Sequence, residues 1–164
     1  VIETQEAGMR IIDKTGPLHN HADRDHCIQY VVAIPLIFGR LTADDYEDDI
    51  ASDPRIDSLR EKMEVLENKR FSADYLDPDK RSIGNAVQIF FNNGESTERI
   101  EIEYPLGHRR RRSEGLPLLK DKFEHNLERQ FNSKQIKKIT GIFNDQQILE
   151  KMPINQFIGL FSNN

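Results

Sequence analysis

The sequence predicts an α+β fold in which a small sheet, containing an antiparallel hairpin, packs with helices. Three observations lead to this prediction. Apolar residues alternate with polar ones at 1–5 and again at 85–92 and 99–104, while much of the remaining chain carries apolar residues at helical spacing. The order strand, helices, hairpin, helices favours an α+β fold over a doubly wound parallel sheet.

The composition is typical of a globular protein. Of the 164 residues, 37% are hydrophobic and 31% are charged, and the formal net charge is -5, which fits a soluble chain with one core. A single cysteine, Cys27, excludes a disulfide framework and a multi-cysteine zinc site within these residues. No apolar stretch reaches membrane-spanning length and no signal-peptide pattern is present, so we expect a cytoplasmic protein without membrane contact. Because the chain lacks an initiator Met and opens in a predicted strand, we also expect a fragment of a larger protein.

The first half of the chain is predicted to be helical after its opening strand. Gly16-Pro17 ends the strand region, and an apolar helix is predicted from Asp23 to about Gly39 with a kink at Pro35. Two further helix starts are indicated, one by Thr42 followed by acidic residues and one by Asp53-Pro54. Three residues then follow at helical spacing: Ile56, Leu59 and Met63.

A β-hairpin is predicted in the middle of the chain. Asn93-Gly94 is a tight-turn signal between the strands 85–92 and 99–104. In the returning strand Ile100, Ile102 and Tyr104 share one face, whereas Glu101 and Glu103 share the other.

Helices are predicted for the rest of the chain. Pro117 is expected to open a helix, Ser133 to cap another, and Pro153 to begin a short apolar helix that packs on a surface, either here or in a missing part of the protein. We predict two domains: an α+β domain over residues 1–131, and C-terminal helices over 132–164 that would return to an all-helical domain outside this chain.

Short catalytic motifs such as the P-loop, G-x-G-x-x-G, H-E-x-x-H and G-x-S-x-G are absent. Two polar segments remain. The first contains His19, His21, Asp23, Arg24, Asp25 and His26. These residue types are compatible with a metal site, a general base or an anion clamp, and equally with a helix N-terminus that Asp23 caps. Arg24 and His26 stand where the apolar helix begins, so a pocket there would hold them away from bulk water.

The second segment is the run of four arginines from Arg109 to Arg112. It is compatible with nucleic-acid phosphates, with a solvated loop whose arginines pair with acids such as Glu101, Glu103 and Glu114, or with a small polycarboxylate held in bidentate geometry. The acidic composition and the lack of an extended basic face disfavour nucleic acid. Gly107 and Gly115 would let the backbone turn sharply on both sides of the run.

Several long stretches resemble the C-terminal part of enzymes of the MmgE/PrpD family. They are "DKTGPLHNHADRDHCIQYVVAIPLIFGRLTADDYEDD" (13–49), "FSADYLDPDKRSIGNAVQIFF" (71–91), "EYPLGHRRRRSEGLPLLKDKFEHNLERQF" (103–131) and "EKMPINQFIGLF" (150–161). The pair "DRDHCIQY" and "YPLGHRRRR" is similar to the dehydratase branch in particular, because other members such as cis-aconitate decarboxylase differ in these loops.

This resemblance implies a large helical domain, a smaller α+β domain and an active site in the cleft between them. The implied reaction is the loss of water from 2-methylcitrate to give 2-methyl-cis-aconitate, in propionate breakdown by the methylcitrate cycle, with citrate as a secondary substrate. It also implies a homodimer and no cofactor, in particular no iron–sulfur cluster.

The resemblance also directs attention to five residues. We expect Arg24, Arg110 and Arg111 to bind a tricarboxylate substrate, His26 and His108 to assist proton transfer, and no residue to bind a metal. The two segments are expected to converge on one cleft, where fixed guanidinium groups would stabilise charge that develops on a substrate carboxylate.

Other active-site residues of the family lie outside these 164 residues, so the chain alone is expected to be inactive. Two alternatives stay open. One is a related tricarboxylate lyase, such as a cis-aconitate decarboxylase. The other is a binding module without catalysis, whose arginines dock an acidic protein or RNA.

Overall fold

A computed structural model describes residues 1–162 of the chain. Internal packing divides it into two units, the first comprising Val1–Pro105 and the second beginning at Leu106. Each unit has a core of its own. The division that the sequence predicts between residues 131 and 132 concerns packing against a domain outside this chain, and it stays a prediction.

The first unit contains a four-stranded mixed sheet. Its strands are β1 (Ile2–Thr4), β2 (Val65–Glu67), β3 (Asn85–Val87) and β4 (Ile100–Ile102), in the order β2-β1-β3-β4. The β1 strand is parallel to β2 and antiparallel to β3, which pairs antiparallel with β4. This sheet, together with the surrounding helices, confirms the α+β class.

The predicted hairpin is confirmed, with shorter strands than the alternation indicated. Ala86 pairs with Glu101, and Gly94 takes the positive φ of 88° that the turn requires. Regular pairing ends after Val87 because a side chain enters the ladder: the Ile89 amide donates to Thr97 Oγ1 at 3.1 Å. Ile100 is 64% exposed, so the apolar face of β4 is not part of the core of this unit.

Six α-helices accompany the sheet in the first unit. They are α1 (Glu6–Ile12), α2 (His21–Asp25), α3 (Ile28–Phe38), α4 (Asp48–Ala51), α5 (Pro54–Arg60) and α6 (Lys69–Leu76), with a 3₁₀ turn at Ala43–Tyr46. Asp53 caps α5 as predicted, since its side chain accepts a hydrogen bond from the Arg55 amide at 2.9 Å. Thr42 donates through its amide and hydroxyl to Asp45, but the segment it starts is 3₁₀ rather than α-helical.

The prediction of one continuous helix from Asp23 to Gly39 was wrong. The chain forms α2 and α3, separated by His26 and by Cys27, which has an extended backbone with φ -125° and ψ 108°. The break leaves α3 free to present its most apolar face. Its Tyr30, Ala33 and Ile34 are buried with Ile56 of α5.

The second unit is helical. It contains α7 (Arg112–Glu128), α8 (Ser133–Phe143), α9 (Gln146–Lys151) and α10 (Ile154–Gly159), around a core of Leu127, Ile139 and Leu160. The terminal apolar helix is confirmed, and residues of this unit supply the surface it packs on: the Phe157 ring lies 6.2 Å from that of Phe143. Every helix within residues 1–162 falls short of the length or apolar character that a bilayer crossing requires.

Two predicted helix starts in this unit are corrected. The α7 helix begins at Arg112 and contains Pro117 in its interior, because the preceding arginines already form a capped 3₁₀ turn that leads into it. The cap of α8 is Asn132 rather than Ser133, since the Asn132 side chain accepts hydrogen bonds from the Lys134 and Gln135 amides at 3.1 and 3.0 Å.

Ion pairs across the sheet make the first unit sensitive to acid. Arg99 donates to both carboxylate oxygens of Glu3, at 2.6 and 2.8 Å. These hydrogen bonds, aided by Asn68, lower the pKa of Glu3 from 4.5 to about 2. The stabilisation is therefore complete above the ordinary pKa of a glutamate and is lost as the pH falls from about 4.5 through about 2.

Replacement of Glu3 by glutamine is expected to lower the free energy of unfolding at pH 7 by about 0.5–1 kcal/mol, because the pair is partly exposed and screened. It should also flatten the fall in stability between about pH 4.5 and 2. Urea unfolding at a series of pH values measures both effects. Glu98→Gln, at an exposed position, is the control, and an equal flattening in this control would refute the assignment to Glu3.

Candidate functional site

The α2 segment, residues 19–27, is organised by its own side chains. Asn20 caps α2 by accepting a hydrogen bond from the Asp23 amide at 2.9 Å, so the expectation that Asp23 is the cap is corrected. Asp23 instead accepts from the His19 amide at 3.1 Å, and this hydrogen bond is the main cause of its lowered pKa. Together these contacts fix the backbone that carries Arg24, Asp25 and His26.

Arg24 lies inside the first unit, with 6% of its surface exposed. Its Nη1 donates to the Tyr46 carbonyl at 2.6 Å and its Nη2 contacts Asp48 Oδ1 at 2.7 Å. The guanidinium thus joins α2 to the 3₁₀ turn and to α4. Among the described residues its buried Nε has no hydrogen-bond acceptor. The contacts with Tyr46 and Asp48 give Arg24 a structural role, because they hold three elements together. Its role in substrate binding stays a prediction.

Substitution Arg24→Lys is expected to lower the free energy of unfolding by about 1–3 kcal/mol, because the shorter cation leaves the Tyr46 carbonyl or Asp48 without a donor. Thermal unfolding followed by circular dichroism measures the loss. Arg55→Lys is the control, since Arg55 is an exposed arginine that pairs with Asp53 on the protein surface. A similar loss for both variants would contradict the structural task assigned to Arg24.

His26 ends α2 and is accessible, with 58% of its side chain exposed. Its Nδ1 lies within hydrogen-bond distance of the Asp25 carboxylate. A carboxylate at Nδ1 favours the tautomer in which that nitrogen holds the proton, which leaves Nε2 as an acceptor. This is the arrangement that a histidine needs to act as a general base.

The other histidines of the segment do not form a metal site. His21 Nε2 pairs with Glu47 Oε2 at 3.2 Å, and His19 contributes its backbone amide to Asp23. Within residues 1–162, no three histidine, cysteine, aspartate or glutamate side chains are grouped so that they could hold a metal ion.

The arginine turn, residues 108–112, belongs to the second unit and is helical rather than a loop. Arg109–Arg111 form a 3₁₀ turn, and His108 caps it by accepting a hydrogen bond from the Arg110 amide on Nδ1 at 3.2 Å. An acceptor at Nδ1 places the proton of a neutral imidazole on Nε2. His108 is therefore arranged as a hydrogen-bond donor, the reverse of the arrangement at His26.

The arginine turn carries four consecutive arginines. The N-terminus of α7 follows directly, and the amides at a helix start carry partial positive charge that favours anions and disfavours cations. Glu114 offsets one of the arginines: its carboxylate accepts from Arg111 at 2.6 Å, which lowers the pKa of Glu114 and raises that of Arg111. This pairing confirms one acid partner that the sequence suggested. Glu101, by contrast, is bound by Arg70 and Arg99.

A cleft of about 450 Å³ lies in the first unit, and neither Arg24 nor His26 lines it. Its charged lining residues are Lys14, Asp57, Arg60 and Glu61. Arg60 is buried and already occupied, since it pairs with Asp57 and donates to the Gly16 carbonyl at 2.9 Å. Two cations balanced by two acids give this cleft no excess of positive charge.

Comparison with known proteins identifies the family. Residues 1–146 match the family model described as the MmgE/PrpD C-terminal domain. The chain belongs to the MmgE/PrpD family. This confirms the resemblance carried by the "DRDHCIQY" and "YPLGHRRRR" stretches.

Similar MmgE/PrpD proteins occur in fungi and bacteria. The chain is 59% identical over 160 residues to "2-methylcitrate dehydratase, mitochondrial" of Yarrowia lipolytica and 56% identical over 160 residues to "2-methylcitrate dehydratase" of Escherichia coli K12. It is 50% identical over 163 residues to "Probable 2-methylcitrate dehydratase" of Saccharomyces cerevisiae. Each match covers 98% of this chain but 30%, 33% and 31% of these relatives, respectively. The chain thus spans about a third of their length.

Sequence reasoning missed some contacts of this MmgE/PrpD chain. It did not pair Asp25 with His26, although adjacent acid and imidazole groups are a readable signal, and it overlooked Arg60 because no motif surrounds it. The expected convergence of Arg24 and His26 with His108, Arg110 and Arg111 on one substrate stays a prediction.

Proposed function

We propose that the chain is the C-terminal third of a 2-methylcitrate dehydratase, a hydro-lyase that converts 2-methylcitrate to 2-methyl-cis-aconitate in propionate breakdown, with citrate as a secondary substrate. The observation that carries this proposal is identity of 50–59% over 98% of the chain to relatives with that name. The positive arginine turn supports the same substrate class, because guanidinium groups match carboxylates.

The reaction requires two proton transfers and stabilisation of negative charge. A base removes the proton from a carbon beside a carboxylate, the electron pair forms the carbon–carbon double bond, and the hydroxyl leaves as water after receiving a proton from an acid. Negative charge accumulates on the adjacent carboxylate, which is already charged. Cationic groups held in place before the reaction lower the free energy of that state.

Arg110 and Arg111 are proposed to bind substrate carboxylates. Both belong to a turn whose backbone is fixed by the His108 cap, so their guanidinium groups start from a defined position. The partial positive charge of the α7 N-terminus adds to theirs. Arg24 is proposed as a third carboxylate ligand, which would require its guanidinium to exchange the Tyr46 carbonyl or Asp48 for the substrate.

His26 and His108 are proposed to take complementary roles. The Asp25 carboxylate at Nδ1 leaves His26 Nε2 ready to accept the proton from carbon. The Arg110 amide at His108 Nδ1 leaves Nε2 with a proton to donate to the leaving hydroxyl. Neither step requires a metal or an organic cofactor.

The remaining parts of the proposal concern assembly and location. We propose a preceding helical domain, which would correspond to the two thirds of the relatives that this chain does not match, and a homodimer of the full-length enzyme. A cytoplasmic location is also proposed. The name of the Yarrowia relative places that protein in the mitochondrion, so cell fractionation of the source organism is the measurement that decides.

The proposal is tested in a hybrid enzyme in which this chain replaces the matching 160 residues of the Escherichia coli relative. Turnover of 2-methylcitrate with 2-methyl-cis-aconitate as product, followed by absorbance of the new double bond and by NMR, is the expected result. A folded hybrid that releases carbon dioxide from cis-aconitate would support a decarboxylase instead. A folded hybrid without any turnover would contradict the proposal.

The 164-residue chain without that domain is expected to be inactive. The same assay applies to it directly, and turnover by the chain alone would show that the missing residues are not needed for catalysis. Titration with citrate and with RNA at moderate salt then tests the binding-module alternative, for which salt-sensitive RNA affinity without a citrate response is the signature.

A further inference from the structure

Gly115 lies inside α7, three residues after the arginine turn ends. Glycine is among the poorest helix formers, so its presence in a helix interior calls for a physical reason. The reason is a close approach of backbone: a Cβ atom added to Gly115 would overlap with the carbonyl oxygen of Leu106. The Leu106 carbonyl belongs to the main chain and the added Cβ is attached directly to it, so no side-chain rotation can relieve this overlap.

The contact closes a loop around the arginine turn. Leu106 precedes the turn and Gly115 follows it, so the segment between them folds back until its two ends touch. Inside this closed segment, His108 accepts from the Arg110 amide and Glu114 holds Arg111. The position of the arginines therefore depends on how closely Leu106 approaches α7.

Two other glycines show that this requirement is specific. Gly107 lies next to Leu106, and Gly141 lies inside α8, yet a Cβ atom at either position would meet no atom within 4 Å. Gly107 tests a side chain added at the same segment, and Gly141 tests the replacement of a glycine in a helix interior. Neither changes the Leu106 contact.

We infer that Gly115 is a positioning residue for substrate binding: it lets the Leu106 carbonyl rest on α7 and so holds Arg110 and Arg111 where they meet the carboxylates. The inference rests on the proposed function. It goes beyond that function because it assigns a role in substrate binding to a residue that has no side chain with which to touch the substrate. A side chain at this position would push residues 106–108 outward, and the guanidinium groups would move with them.

The test compares Gly115→Ala, Gly107→Ala and Gly141→Ala in the hybrid enzyme, with Arg110→Gln as the reference for loss of a binding group. We expect Gly115→Ala to raise KM for 2-methylcitrate at least tenfold with a smaller change in kcat, whereas both control variants keep the parent KM. A ¹⁵N NMR spectrum of the 164-residue chain should show shifted amides at 106–112 for Gly115→Ala and an unchanged first unit.

The outcomes separate this inference from the proposed function. An unchanged KM in Gly115→Ala beside a raised KM in Arg110→Gln would overturn the inference and leave the function standing. An unchanged KM in both would overturn the substrate-binding assignment and the inference with it. If Gly115→Ala does not fold, the pair Leu106→Gly and Gly115→Ala gives the backbone freedom to relieve the overlap. A folded double variant with the parent KM would then overturn the inference.

Discussion

Substitution of His26 by glutamine is expected to lower kcat of the hybrid enzyme by about 100- to 10,000-fold, the range that loss of a general base produces. Glutamine keeps a polar side chain of similar size but cannot take a proton at neutral pH. The expected loss is mainly in kcat, because His26 is proposed to act on the carbon-bound proton rather than to bind carboxylates. Steady-state kinetics with 2-methylcitrate measure it.

His21→Gln is the matched control for His26. His21 is the first residue of α2, the helix that ends at His26, and it is also exposed and also pairs with an acid, Glu47 at 3.2 Å. Its replacement is expected to leave kcat within about twofold of the parent, an effect too small to reflect general acid–base catalysis. Equal losses in the two variants would mean that α2 is merely disturbed, and no loss in His26→Gln would remove His26 from the mechanism.

Replacement of both Arg110 and Arg111 by glutamine is expected to raise KM by two orders of magnitude or more. Each hydrogen bond to a charged group contributes about 1.5–3 kcal/mol, which corresponds to about 10- to 100-fold in binding for a single arginine. Inhibition by propane-1,2,3-tricarboxylate, which has no hydroxyl to lose, measures binding separately from turnover.

Lys122→Gln serves as the control for the arginine variants. Lys122 is an exposed cation of α7, ten residues beyond the end of the arginine turn. Its loss removes one positive charge from the helix that follows the turn, so a rise in KM equal to that of a single arginine variant would point to general attraction of the trianion rather than to binding at the turn. A KM that stays at the parent value in the double arginine variant would refute the substrate-binding assignment.

Local patterns predicted the elements whose signals lie within a few residues. Asp53-Pro54 specified the start of α5, and Asn93-Gly94 specified the hairpin turn, because caps and turns are decided by backbone preferences of the residues themselves. Short elements without such signals were missed. The α1 helix and β2 were among them, since three to seven residues show too little periodicity to be recognised. The α6 helix was also missed, although Asn68 caps it.

The arginine turn illustrates why a site is harder to predict than an element. The sequence interpretation treated its four arginines as a loop, either solvated or binding an anion. The helix forms nonetheless, since the His108 side chain caps the turn and the Leu106 carbonyl packs on Gly115. The contributions of His108 and Leu106 depend on distances in the folded chain. Composition and residue spacing do not encode those distances.

By itself the sequence determined the fold class, the family resemblance and the segments that carry polar chemistry, because these follow from local preference and from extended similarity. Only the tertiary structure decided that Arg24 of α2 is buried against the 3₁₀ turn and α4, and that the Leu106 carbonyl packs on Gly115. The physical reason is that burial and hydrogen-bond direction arise when residues far apart in the chain come into contact, and a one-dimensional pattern does not contain those distances.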